Sequence, residues 1–165
     1  MVVSAIEKRR SMRLKQFDYE SPGAYFATIC TKEKKSILSA VVRGDINIAP
    51  YVRLTPVGRI VEKYLLSTPG LDHYVIMPNH VHIILNISAT DILQGPMWAS
   101  APTTGSVSNR VRTLKTLVTK ELGYSIWQRS FYDHVIRNEA DYLRIARYIE
   151  DNPAKWSDDT YYIAD

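Results

Sequence analysis

The sequence predicts an α+β fold of the ferredoxin-like kind: a β-α-β-β-α-β antiparallel sheet with helices on one face, an inserted hairpin and one further C-terminal helix. Runs of β-forming residues closed off by Pro, Gly and Asn alternate with segments whose apolar residues recur at helical spacing. The 165 residues are 45% hydrophobic and 23% charged, the balance of an ordinary globular chain and the length of a single domain spanning 1–165.

Ser21-Pro22-Gly23 marks a turn, and Gly23 to Thr31 (Gly-Ala-Tyr-Phe-Ala-Thr-Ile-Cys-Thr) reads as the first strand. Leu38 to Val42 and Ile46 to Ile48 flank Arg43-Gly44-Asp45 and read as the arms of a hairpin. Thr55 caps a helix that opens at Pro56, carries Ile60, Val61, Tyr64 and Leu65 on one stripe, and stops at Ser67-Thr68-Pro69-Gly70. His73 to Met77 reads as a buried strand, Pro78-Asn79 as a tight turn, and His80 to Ile87 as the antiparallel partner. Residues 88–105 show no period and one charge, Asp91, the pattern of a flexible flap. Ser106 to Leu122 is a helix with Val107, Val111, Leu114, Leu117 and Val118 inward. Ile126 to Ile136 reads as the last strand. Asn138 then caps a helix from Glu139 to about Asp151, which Asn152-Pro153 stops.

No apolar run approaches the roughly 18 residues of a membrane-spanning helix, so an integral membrane role is not expected. The first residues lack the apolar block of a secretory signal, and the one cysteine, Cys30, sits in an apolar run as a small hydrophobe. A cytoplasmic, nucleoid-associated protein is expected. Charge is mildly basic, 21 Lys+Arg against 17 Asp+Glu, and it is unevenly placed. Residues 1–20 form a basic arm carrying Lys8, Arg9, Arg10, Arg13 and Lys15, while the stretch from Glu150 to Asp165 is acid-rich. A basic arm suits phosphates, and it equally suits a solvated surface.

Tyr74-Val-Ile-Met-Pro-Asn-His80-Val81-His82 carries the most chemistry. Side chains at i and i+2 of a strand share a face, so His80 and His82 present two imidazoles side by side, half of a metal site. One packed and one solvated histidine would produce the same pattern. Eleven tyrosines offer no choice of nucleophile on their own.

Val75-Ile-Met-Pro-Asn-His-Val-His82 resembles the signature of the single-tyrosine HUH transposases, the single-strand transposases of insertion sequences and the REP-associated tyrosine transposases. Gly23 to Thr31 resembles that family's first strand. Trp127 to Asn138 resembles the block leading to its last helix, and Ala146 to Pro153 the helix bearing its tyrosine. The resemblance runs from residue 23 to about 156 and implies the same ferredoxin-like fold. It implies metal-dependent nicking and joining of single-stranded or hairpin DNA through a 5′-phosphotyrosine, with Mg²⁺ or Mn²⁺ as cofactor. Tyr148 is then the nucleophile, with Tyr142 and Tyr132 as rivals, and His80, His82 and Asn152 hold the metal. Tyr148 and Asn152 stand at i and i+4, on one helix face.

Arg9, Arg10, Arg13, Lys15, Arg110, Lys115, His134 and Arg137 are candidate DNA contacts, and Trp98 a candidate base-stacking residue. The apolar first strand, taken as a sheet edge, favours a homodimer. Two other readings stand beside this one: a domesticated, non-catalytic DNA-binding module, and an RNA-binding domain of the same plan. The RNA domain needs paired aromatics where this sheet carries histidines.

Overall fold

The computed structural model describes residues 21–43, 48–93 and 106–163; the basic arm and Trp98 lie outside them. Strand β1 (Gly23–Cys30) is buried from Tyr25 onward because it runs through the middle of the sheet. With β4 (Leu71–Ile76), β5 (His80–Ile87) and β6 (Tyr132–Ile136) it forms an antiparallel sheet of order β4-β5-β1-β6, the ferredoxin-like order. The first strand is therefore not an edge, and a dimer built on its apolar sequence loses its support. A strand covered on both faces is apolar throughout, and such a run looks the same whether the strand is central or at the rim.

Two short strands, β2 (Ser39–Val42) and β3 (Tyr51–Leu54), pair in a separate sheet, Ser39 opposite Leu54. The described second arm is Tyr51–Leu54, with Ile48 outside it, while Ile46 lies outside the described residues. Tyr51-Val-Arg-Leu supplies the alternation, and the Thr55 amide anchors its end on the Leu38 carbonyl at 3.0 Å. The expected strand from Ile126 contracts to β6. Before it, Trp127 makes only an isolated bridge to Thr31, and the chain is held instead by the Gln128 amide on the Cys30 carbonyl.

Helix α1 (Pro56–Leu66) is capped by Thr55, whose hydroxyl oxygen accepts from the Gly58 amide at 3.0 Å while its O–H donates to Ile37 at 2.7 Å. A short helix, α2 (Ala89–Leu93), follows β5 where a flap was expected. Ser88 and Asp91 cap each other reciprocally, backbone amide to side chain at 2.8 and 3.2 Å. Helix α3 (Val107–Leu122) starts at Ser106 and ends at Gly123, whose φ of 79° is the left-handed stop. Helices α1 and α3 cover one sheet face, packing Val61, Leu65, Val111 and Leu114 on Tyr25, Ile29, Ile83 and Leu85. Helix α4 (Glu139–Asp151) covers the other, with Ile145, Ala146 and Ile149 on Phe26, Val75, Ile84 and Ile136. His80 and His82 belong to the α4 face, four and two residues before Ile84 on the same strand. No described helix is long and apolar enough to cross a membrane.

Gly58 sits where α1 crosses the hairpin, and a Cβ there would run into the Leu38 carbonyl. Gly58→Ala is expected to cost about 1–3 kcal/mol, the range for forcing atoms into a packed contact. A urea-denaturation midpoint unchanged from the parent would contradict this packing.

Candidate active site

Strand periodicity brings His80 and His82 together on one face, and both are buried, so the alternative of one packed and one solvated histidine does not hold. Both rings are essentially solvent-free (0% and 1% exposed), with their Nε2 atoms 2.9 Å apart. Asn79 Oδ1 lies 2.9 Å from His80 Nδ1. A carbonyl oxygen can only accept, so the neutral ring carries its proton on Nδ1 and turns a bare Nε2 inward. His82 Nδ1 meets the Thr28 hydroxyl at 2.9 Å, a group that can donate or accept. When Thr28 accepts, both Nε2 lone pairs converge on one point.

Helix α4 delivers the tyrosine. Asn138 caps it, its side chain accepting from the Asp141 amide at 2.9 Å, and the apolar stripe fixes its rotation on the sheet. The Tyr148 hydroxyl then stands 3.2 Å from His82 Nε2, with the two rings 5.2 Å apart. Phe26 packs edge-on beneath at 6.2 Å. Asn152 keeps helical dihedrals (φ −56°, ψ −42°) although it closes the helix, so the i, i+4 relation to Tyr148 holds. Its amide is buried, Nδ2 donates to Asp159 at 3.1 Å, and Oδ1 has no partner among the described residues.

Asp159 is a site residue that the sequence pattern did not point to. The chain turns back after α4 through a 3-10 turn (Trp156–Asp158) and sets the Asp159 carboxylate 3.4 Å from the Tyr148 hydroxyl and 4.0 Å from His80 Nε2. Tyr161 follows, its ring tilted against His80 at 4.6 Å between centroids, its carbonyl accepting from Asn79 Nδ2 at 2.8 Å. Ligand atoms of His80, His82 and Asp159 all lie within 4.8 Å of one another. Two imidazoles, a carboxylate and an orphaned amide oxygen fit a divalent cation that accepts mixed nitrogen and oxygen donors, as Mn²⁺ and Mg²⁺ do. An unpaired buried carbonyl oxygen is otherwise costly.

The electrostatics follow from burial. Desolvation pushes His80 down to about 4, against the pull of the Asp159 carboxylate, and drives His82 well below the usual imidazole value, with the His80 charge adding to it. Both rings are therefore neutral, the ligand form, at physiological pH. Burial raises the Tyr148 phenol to about 12, the Asp159 charge adding to the effect. Unfolded, His80 takes a proton below about 6.5; folded, it refuses one until about 4. In chelator, stability held above pH 6.5 is thus expected to be lost as pH falls, on the order of 3 kcal/mol by pH 4 from this group. Urea midpoints at pH 7 and 4.5 check it. A His80→Gln variant with an equally steep acid loss would contradict the assignment.

No family model matches the chain. It is 31% identical over 182 residues to an uncharacterised protein of Haemophilus influenzae, covering 97% of this chain and 96% of that protein. It is also 31% identical over 86 residues to the REP-associated tyrosine transposase of Escherichia coli K12, spanning 52% of this chain and 44% of that protein. A further Haemophilus influenzae protein, whose name carries the same family designation, is 26% identical over 154 residues, 84% of this chain and 74% of that one. The chain is thus similar to REP-associated tyrosine transposases. A solved REP-associated tyrosine transposase, bound to a REP hairpin, shares the fold at a TM-score of 0.58 and 22% identity, over 87% of this chain and 74% of that one.

The rival tyrosines fall elsewhere. Tyr142 is six residues before Tyr148, about 120° around the helix. Its hydroxyl donates to Asp72 and lies 3.2 Å from His73 Nδ1, and the Asp72 bond pushes it up to about 12. Tyr132 lines the same groove as Tyr148, a cavity of about 340 Å³ floored by Phe26 and His82. His134 also lines it and pairs with Asp141 at 2.9 Å; Arg137 is exposed beyond the strand. Arg110 is turned into the fold. It is buried, donating to the Pro69 and Asn86 carbonyls and pairing with Asp91 at 2.9 Å. The Lys115 ammonium is likewise engaged within the fold, on the Gln128 and Ser130 carbonyls at 2.9 and 3.2 Å. Arg9, Arg10, Arg13 and Lys15 lie outside the described residues.

Proposed function

We propose that this chain is a metal-dependent single-strand DNA endonuclease and strand transferase acting on hairpin-forming DNA. One observation carries the reading: the Tyr148 hydroxyl lies 3.2 Å from His82 Nε2, inside the buried cluster where Asn152 Oδ1 has no partner among the described residues. His80, His82, Asn152 and Asp159 are the donors that would hold Mg²⁺ or Mn²⁺, and the ion would supply positive charge to the phosphate and the departing oxygen.

The chain's own part is positioning. Helix α4, rigid on the sheet, holds the phenolic oxygen for in-line attack on phosphorus. An O–P bond forms to Tyr148 as the bond to the 3′-oxygen breaks. The phenol loses a proton and the 3′-hydroxyl gains one. The product is a 5′-phosphotyrosine beside a free 3′-hydroxyl, a diester exchanged for a diester, so reversal rejoins strands without ATP. Asn79 holds the His80 tautomer for the ion, and Thr28, by accepting from His82 Nδ1, would do the same for His82, the usual job of the outer partner of a metal-bound histidine. Helix α4 covers the sheet face on which an RNA-recognition module would stack bases, which weighs against that reading.

The test is incubation of the purified chain with single-stranded hairpin DNA from the flanks of its gene, in Mn²⁺ or in EDTA, on a denaturing gel. Nicking and a slow-migrating protein–DNA adduct in Mn²⁺ alone are expected. Tight binding with no nick under either condition would instead identify a non-catalytic DNA-binding module.

A further inference from the structure

A second groove lies across the edge strand from the candidate active site. Its volume is about 440 Å³, and it runs between α3 and the segment that leads into β6. Arg112, Lys115 and Lys120 line it from α3 and Arg129 from the segment, and no acidic side chain does among the described residues. The rings of Trp127 and Phe131 form part of its wall. The two grooves meet at one peptide bond: Phe131 lines this one, and Tyr132 lines the one holding Tyr148 and His82. Consecutive side chains of a strand point to opposite faces. A flexible polymer rounding β6 therefore passes directly from one groove into the other.

The four cations have different parts. Lys115 ties Gln128 and Ser130 to α3 and stands 5.8 Å over the Phe131 ring, which fixes the wall. Arg112, Lys120 and Arg129 are exposed and carry their charge outward. Cations interleaved with aromatic rings are the means by which proteins track single strands, phosphates on the cations and unpaired bases against the rings. A duplex, stiff over about 50 nm, cannot round a sheet edge.

We propose that this groove seats the single-stranded DNA flanking the reacting phosphate, with Arg112, Lys120 and Arg129 on its phosphates and Phe131 against a base or sugar. The proposal rests on the DNA-nicking reading above and adds the path of the strand. The test uses the full chain with Tyr148→Phe as parent, to prevent turnover, and compares it with Arg112→Glu/Lys120→Glu/Arg129→Glu in that background. Fluorescence anisotropy across a salt series follows a hairpin with single-stranded flanks and a blunt hairpin.

The expected result is at least about tenfold weaker binding of the flanked hairpin and a salt slope shallower by about 2, each phosphate left without its cation accounting for about 0.7. The blunt hairpin should change little, and Mn²⁺ affinity and melting temperature should match the parent. Should the triple variant melt early, Arg112→Gln/Arg129→Gln is the substitute, with about fivefold expected. Equal affinity and slope for parent and variant would overturn the groove while leaving the nicking reading intact. A parent that binds no DNA would sink both. Loss of binding to labelled polyglutamate, with DNA binding unchanged, would assign the groove to an acidic protein and overturn the proposal.

Discussion

Tyr148→Phe is expected to abolish the covalent protein–DNA adduct and to lower nicking by at least about 10³-fold, the scale on which removal of a nucleophile acts. The ring stays, so its packing on Phe26 and His82 should survive, 6.2 and 5.2 Å between centroids in the parent. Only the oxygen goes. DNA affinity and Mn²⁺ affinity are therefore expected to hold within about twofold. Tyr142→Phe removes a hydroxyl engaged with Asp72 on another face of the helix and is expected to leave the adduct in place. Full nicking by Tyr148→Phe, or loss of adduct in Tyr142→Phe alone, would show that a different oxygen attacks.

His82→Ala carries the second large effect. Its Nε2 faces His80 Nε2 at 2.9 Å, so the ion would lose one of two nitrogen donors and the tautomer relay to Thr28. Mn²⁺ affinity, read by calorimetry or by the electron-spin signal of free Mn²⁺, is expected to fall by at least about 100-fold. Even the loss of an outer partner of a metal-bound imidazole costs 10–100-fold. Because the ring is buried, His82→Gln serves where the alanine variant melts early. Asn152→Ala and Asp159→Asn should each weaken Mn²⁺ as well. Unchanged Mn²⁺ binding in all of these would contradict the donor set.

The side-by-side placement of His80 and His82 was legible because a strand repeats every two residues; Asn152 was named through the family resemblance, and helix periodicity added only that it shares a face with Tyr148. Both relations are local, and local geometry is what sequence encodes most directly. Asp159 was not legible. It reaches the histidines through a reversal of the chain after α4, and its acidic neighbours give the segment the look of a tail. Arg110 illustrates the same limit: a basic residue on an amphipathic helix can point either way, and only the Pro69 and Asn86 carbonyls show that it points in. Strand order was implied by the β-α-β-β-α-β plan, yet β1 reads as an edge because an apolar run marks burial without saying whether one or two strands flank it. The reciprocal Ser88–Asp91 cap was present in the sequence as a spacing of three, and it accounts for the helix that interrupts the expected flap.

Peptide mapping of the DNA adduct is the most direct measurement. Trypsin places Tyr148 alone among tyrosines in the fragment from Tyr148 to Lys155, Tyr142 in that from Asn138 to Arg144, and Tyr132 in that from Ser130 to Arg137. After reaction in Mn²⁺ and nuclease trimming, the nucleotide mass should ride on the Tyr148–Lys155 fragment. Nucleotide carried by either of the other two fragments, with the Tyr148 fragment unmodified, would contradict Tyr148 as the attacking residue.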